Sequence, residues 1–500
     1  MVSHRKIHVP AKTITVAART TDGTIETSLS VSQRNNLKPW IVSGVWALAI
    51  TALMGIALIG VSWAFVDVYN NFYKATAFTW GETFASAFGG GIEYRPLLII
   101  GVKLAHWLVG LRAWAYKILV LLQFAAVLGG LLWIFQPVTR KRAAAACIAL
   151  ACLAGLHTSR VLFMFAPLNA HSFGVLLLLV AIGLALRSPG EGPRSQVNDW
   201  IFLPLTLVAL LLLESGGLIV AVLLILWKMK APGASSRALT MTLVAAVVYT
   251  AVRFGLGVQT ATSTYTETGL GFGDVSAPQL GEIFANAPWL LWIYNFVASL
   301  LTVAVSEPRA GRYRFIEAIL HGRIPVWMYI HVITSVVTTG LVIYALKTAR
   351  IASVRDRYIA AAGITLVILG SALGFLYTRD RIAVSAGVGY AMLVYVALVG
   401  VLEGRGERSR PGVLAKACVA VIAAGWIVRT GEAYFQLRDV AWENYLEWTT
   451  RYEELGGYTR PQTDVLMMLR HEAVARTPDD PRRDPAWTYT LFEREYERTP

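Results

Sequence analysis

The sequence predicts an all-α, polytopic membrane protein, and three observations carry that expectation. Of 500 residues, 56% are hydrophobic and only 15% charged, with a mean hydropathy of +0.54, well outside the range of an ordinary soluble domain or a disordered chain. The apolar residues come in long runs. Basic residues punctuate those runs: residues 429–500 hold 10 Arg, no Lys and 14 acidic residues, a net −4, so that residues 1–428 carry +18 of the overall +14. Positive charge between apolar runs marks the cytoplasmic loops of a multi-pass protein, and it makes nucleic acid a poor explanation of the basic balance. Cys147, Cys152 and Cys418 all lie inside apolar runs, so neither a disulfide framework nor a thiolate metal site is readable.

Residues 1–40 are rich in Ser and Thr, carry Arg5, Lys6, Lys12, Arg19, Arg34 and Lys38, and show no apolar periodicity. They are expected to form a disordered cytosolic tail. The apolar stretch 41–65 exceeds a signal-peptide core and is long enough, at 1.5 Å per residue, to cross ~30 Å of hydrocarbon. Placing every later basic cluster on the cytoplasmic side (Arg140-Lys141-Arg142, Arg187 with Arg194, Lys228 to Arg237, Lys347 to Arg357, Arg405 to Lys416) sets the remaining topology. Spans are then expected near 41–65, 114–136, 143–157, 166–186, 200–213, 217–229, 238–253, 325–346, 359–376, 383–402 and 413–428. That makes eleven transmembrane helices in a domain spanning 41–428, with the N-terminus cytoplasmic and the C-terminus periplasmic. Residues 96–110, which contain Lys103 and His106, and 290–305 read as helices lying at the outer interface.

Two external regions are long, 66–113 and 254–324, and long aromatic-bearing loops between spans tend to be functional. The extracytoplasmic tail, 429–500, carries a stripe of Tyr434, Leu437, Ala441, Tyr445, Trp448, Tyr452 and Leu455, ended by Gly456-Gly457, which predicts an amphipathic helix.

In the first external loop Asp67 follows the first span directly, where a carboxylate faces water but borders hydrocarbon. It is either a solvated helix-end charge or a group held there for a partner or metal. Further along the same loop comes Gly89-Gly90-Gly91-Ile92-Glu93-Tyr94-Arg95-Pro96-Leu97. An acid just after the first helix, then Tyr-Arg-Pro-Leu leading into an interfacial helix, resembles the GT-C glycosyltransferases. The likeness is to the protein O-mannosyltransferase-like group and the tetratricopeptide-carrying transmembrane O-mannosyltransferases. Leu156-His157 with Arg160, Glu214 at a span end, Arg253 followed by Tyr265, Arg379-Asp380-Arg381 before Gly387, and Arg438-Asp439 before Trp442 follow in that family's order. The chain departs from its pattern at Val68, Thr158, Ile382 and Ala383.

The resemblance implies a GT-C-like architecture in the inner membrane and transfer of a sugar from a polyprenyl-phosphate donor to an external acceptor that the sequence does not identify. It also implies that Asp67 is the catalytic or metal-binding acid, with Glu93 in reserve and Mg or Mn as the candidate cation.

Elementary chemistry asks for the same parts. Such a transfer needs a carboxylate to deprotonate the acceptor or hold a cation, and fixed positive charge for the departing phosphate, in a site of low dielectric. Arg suits a phosphate because its planar fork binds bidentately and stays charged, which makes Arg95, Arg253, Arg379 and Arg381 the donor-phosphate candidates. Other readings stay open. Arg379 and Arg381 flank Asp380 and also fit a solvated helix end; Glu214 and Arg253 also fit a structural pair. His106 is either a phosphate contact or an interface residue. His157 and His171, near Arg160, lie across an external loop and would make at most a sparse metal site. A relative that binds or moves a lipid-linked saccharide without catalysis is the rival from another class, and it would be expected to show broken helices at matching positions in two halves.

Overall fold

The computed structural model describes residues 31–58, 75, 78–88, 94–110, 113–163, 169–187, 197–255, 277–284, 287–305, 322, 324, 326–348, 351–375, 380–403 and 413–450. Among them every regular element is helical. The α-helices in chain order are α1 (Val31–Leu58), α2 (Trp80–Phe88), α3 (Pro96–Val109), α4 (Ala113–Phe135), α5 (Arg140–Gly155), α6 (Ala170–Ala185), α7 (Val197–Trp200) and α8 (Phe202–Leu212). They continue with α9 (Leu218–Lys228), α10 (Ser236–Gly255), α11 (Ala277–Ile283), α12 (Pro288–Ala304), α13 (Val326–Lys347), α14 (Val354–Ala372), α15 (Val384–Glu403) and α16 (Val413–Thr450). Three 3-10 turns intervene: η1 (His157–Leu162), η2 (Glu214–Gly217) and η3 (Asp380–Ala383).

Among the described residues six stretches are long and apolar enough to cross a membrane: Leu37–Leu58, Trp114–Phe135, Ser236–Gly255, Met328–Lys347, Val384–Glu403 and Lys416–Phe435. They coincide with six of the expected spans. The expected spans near 143–157, 166–186 and 359–376 fall on the shorter α5 and α6 and on α14, whose first turn carries Arg355, Asp356 and Arg357. The interface segments fall on α3, which exposes Leu104, Trp107 and Leu108, and on α12, which exposes Trp289, Ile293 and Val297. Helix α1 starts at Val31, inside the stretch expected to be disordered, because a helix nucleated by an apolar span extends at little further cost. At the other end α16 runs through residue 428 without a break.

At the centre stands α15, with every residue from Val384 to Val401 buried. Its sequence is apolar all round, which is what a helix enclosed by others requires. Small residues let α14 approach closely: a Cβ on Gly389 would lie 2.6 Å from the Gly363 carbonyl oxygen, so backbone meets backbone there.

One end of the bundle gathers the described residues of the basic clusters. Arg142 donates to both oxygens of the fully buried Asp356, at 3.0 and 2.8 Å, and to Glu403 at 3.1 and 3.0 Å. This ties the starts of α5 and α14 to the end of α15. Arg355 donates to the carbonyls of Ile134 and Leu186, where α4 and α6 end, and Tyr358 donates to the Lys230 carbonyl after α9. Arg142 and Arg355 therefore satisfy helix ends and a buried carboxylate as well as marking a membrane face.

The expected spans 200–213 and 217–229 fall on the shorter α8 and α9. They form one hairpin, α8–η2–α9, with legs of 11 residues each, the first preceded by α7 after a single turn residue. Both legs start from the end just described, since Ser235 donates to Asp199 at 2.9 Å and Gly233 to the Ala185 carbonyl. Leu213 breaks the helix in extended conformation (φ −160°, ψ 140°), and the chain folds back so tightly that a Cβ on Gly216 would lie 2.5 Å from the Ala209 carbonyl carbon. Only glycine fits there.

Candidate functional site

The hairpin tip presents Glu214, and two arginines distant in sequence converge on it. Arg95 caps the N-terminus of α3, where Pro96 at the first helical position gives up an N–H that would be unpaired in any case. Its Nε donates to Glu214 Oε2 at 3.2 Å. Arg253 comes from the last turn of α10. Side chains on a helix lean toward its N-terminus, so the guanidinium reaches back to donate to Glu214 Oε1 at 3.3 Å and to the Tyr249 hydroxyl, one turn earlier, at 2.9 Å. The hairpin tip thus meets the 20-residue α10 at its last turn.

Beneath the charges lies a small apolar cluster of Tyr94, Leu210 and Tyr249. The Tyr94 and Tyr249 rings sit 6.0 Å apart, and Phe88 stands 6.5 Å from Tyr94 on the other side. Phe88 belongs to α2, which begins with a capping box: Thr79 N–H donates to Glu82 at 2.7 Å and Glu82 N–H to Thr79 Oγ1 at 3.2 Å. Those hydrogen bonds from Thr79 hold the Glu82 carboxyl below the usual carboxylate range. Burial pushes the Tyr94 hydroxyl above the ordinary tyrosine range, so it stays protonated, and its oxygen has no hydrogen-bond partner among the described residues. The side chains of Arg95, Glu214 and Arg253 are 26%, 35% and 15% exposed. Two guanidiniums and one carboxylate form a set with one net positive charge in a half-buried recess, an arrangement that favours an anion bearing several oxygens.

Other expected site residues lie at the same end. His157 and Arg160 share η1, with Arg160 Nη2 3.0 Å from His157 Nε2. This turn packs against η3, which holds the backbone of Arg381. The hydroxyls of Thr158 and Ser159 are buried there, and a Cβ on Gly387 would come within 2.6 Å of Thr158 Oγ1. His171 lies in the first turn of α6, a helix that touches both η1 and η2 and whose N-cap Asn169 accepts from Ser172 N–H at 3.1 Å. His106 is elsewhere. It sits about eleven residues along α3 from Arg95, roughly 16 Å away along the axis, and burial, then Lys103, hold its imidazole below the ordinary histidine range. Among the described residues no three His, Cys, Asp or Glu side chains are grouped to hold a metal ion, so His157 and His171 are not joined by a third ligand there. Asp67, Glu93, Tyr265 and Arg379, and the side chain of Arg381, lie outside the described residues.

The sequence reading passed over a second polar cluster. His331 of α13 pairs with Glu432 of α16, and one turn away Arg429, 1% exposed, donates to Ser335 at 2.9 Å and stacks 4.1 Å from the Trp426 ring. An ionisable residue within an apolar span is itself a signal. Arg429 fell one position past the expected span end and was counted with the tail.

No family model, curated protein or solved structure matches the chain.

Proposed function

We propose that this protein is a membrane glycosyltransferase of GT-C-like architecture, taking a sugar from a polyprenyl-phosphate donor and passing it to an acceptor on the extracytoplasmic side of the cell membrane. The observation that supports this reading most is the meeting of Arg95 and Arg253 on Glu214 in a recess opposite the end that gathers the basic clusters. In this reading the two guanidiniums contact the donor phosphate, with Glu214 setting their positions. The acceptor oxygen attacks the anomeric carbon, the bond to the phosphate oxygen breaks, and polyprenyl phosphate leaves with its charge held by the arginines. The acceptor proton goes to Asp67, with Glu93 in reserve. In the alternative role Asp67 would hold a divalent cation, Mg or Mn, instead of taking the proton.

The test is transfer itself. The full chain in vesicles with a polyprenyl-phosphate sugar should produce a glycosylated product. Asp67→Asn should lower the rate by about 10²–10⁴-fold, the usual contribution of a placed base, while donor binding stays near the parent's; a rate within a few-fold of the parent's removes Asp67 from the chemistry.

A second reading, a non-catalytic carrier of lipid-linked saccharide, is favoured by one observation: the helix break at Leu213 to Gly217 within the hairpin, of the kind that transporters use for binding. Movement of the labelled donor across the bilayer with no product in any acceptor mixture would select it.

A further inference from the structure

Away from the arginine recess, α1, α5 and α16 enclose an apolar groove of about 530 Å³, a volume typical of ligand sites. Its walls include Val45 and Trp46 of α1, Ala144 and Cys147 of α5, and Ala423 and Ile427 of α16. The three helices run the same way. Trp46 donates its indole N–H to the Cys147 carbonyl at 3.0 Å. Higher up, Thr430 donates to the Ala151 carbonyl at 3.0 Å and Gly155 lies against Arg429. Gly55, further along α1, lies against Leu121 of α4, whose own C-terminus is at the basic end.

Each groove-facing stripe continues to one lysine at that end. Lys38 precedes Ile41 and Val45 by three and seven positions, Lys141 precedes Ala144 and Ile148 by three and seven, and Lys416 precedes Ala423 by seven. Residues at those spacings share a helix face. Counting back from the two cross-helix hydrogen bonds places Lys38 about two and Lys416 about four residue rises below Lys141 along the α5 axis. The three lysines thus lie within about 6 Å of height. All three are exposed.

We infer that this groove is a binding site for one anionic phospholipid of the leaflet at the basic end, with an acyl chain between the helices and the headgroup phosphate among Lys38, Lys141 and Lys416. The wall chemistry favours a lipid over a peptide segment. An inserted extended chain would bring N–H and C=O groups into hydrocarbon, and the walls are almost wholly apolar, with the Trp46 indole already engaged. An acyl chain needs no hydrogen-bond partner, and a phosphate at the mouth matches the three charges. The inference rests on membrane embedding alone and stands or falls independently of sugar transfer.

The full chain purified in detergent would be titrated with phosphatidylglycerol and, separately, with phosphatidylcholine of the same acyl chains, and bound lipid counted by native mass spectrometry. One phosphatidylglycerol should be retained in preference to phosphatidylcholine. The triple variant Lys38→Gln, Lys141→Gln, Lys416→Gln should weaken that retention by about fivefold per lysine, roughly a hundredfold together, and leave phosphatidylcholine unaffected. Ala423→Phe, which fills the groove and keeps the rim, should lose both lipids. Equal retention of phosphatidylglycerol by the triple variant and the parent overturns the proposal, as does a parent that does not discriminate between the lipids. If Ala423→Phe instead dissociates a dimer with lipid retention unchanged, a second copy is the occupant and the proposal fails. Should that variant not fold, the triple variant, altered only at exposed positions, decides.

Discussion

Arg95 and Arg253, one at the N-cap of α3 and the other in the last turn of α10, are held side by side on opposite oxygens of a single carboxylate. Like charges brought that close need the carboxylate between them, and an anion entering the recess would act in the same sense.

Glu214→Gln keeps the side-chain volume and removes the charge that holds the two arginines together. Because the carboxylate is 35% exposed, solvent screens the pair, and the loss should be modest, about 1–2 kcal/mol. Thermal unfolding in detergent would read it. Polyprenyl phosphate should raise the unfolding temperature of this variant more than that of the parent, by replacing the missing negative charge; an equal rise in both would argue that the phosphate binds elsewhere.

Arg253→Ala should weaken donor binding tenfold or more at unchanged expression, since one charge-assisted bidentate contact is worth roughly 1.5–3 kcal/mol. Arg253→Lys should recover only part of that, because an ammonium is a point charge without the planar fork. Equilibrium binding of a labelled polyprenyl-phosphate sugar measures both, and parent-like affinity in the alanine variant would take Arg253 out of the site.

The hairpin tip should be intolerant of any side chain at Gly216. Gly216→Ala puts a methyl group against the Ala209 backbone, which cannot move aside as a flexible side chain would, so a cost of about 1–3 kcal/mol is expected. The displaced tip carries Glu214 with it, and donor affinity should fall along with stability. Gly217→Ala, where a Cβ would meet only the Leu210 methyl at 3.9 Å, should leave both nearly unchanged, and serves as the control.

Reporter fusions test the sidedness. Fusions after Arg142, Gly233 and Arg408 should all report the cytoplasm, and one after Gly457 the periplasm. A cytoplasmic signal from Gly457 would move the arginine recess to the wrong face for an external donor.

Much of the helical architecture was readable from residue types alone. Runs such as 114–136 and 383–402 are apolar enough to state their solvent, and the described members of the basic clusters, Arg142, Lys230 and Arg355 among them, lie at one end. Tyr94-Arg95-Pro96-Leu97 was legible as a helix start, because Pro96 tolerates the first position and no interior one. Glu214 and Arg253 stood out as charges bordering hydrocarbon, which are costly to place without a partner.

The Glu214–Arg253 pair was one of the readings the sequence left open and is present; that Arg95 joins it, and the hairpin that brings this about, were not legible. Residues 200–229 have the hydropathy of two spans, and hydropathy records what solvent a segment prefers, not where its chain turns. The turn is set by Leu213 in extended conformation and by Gly216 pressed against the Ala209 backbone, contacts that exist only once α8 has packed. The same holds for Arg142, which reads as one more positive loop residue until Asp356 and Glu403 arrive from helices more than two hundred residues away in sequence. Composition and periodicity determined that this chain folds as apolar helices whose described basic-cluster residues share one end. Which charges face each other was decided by packing, because a buried or half-buried ion is stable only beside its counter-charge, and that neighbour is supplied by tertiary structure alone.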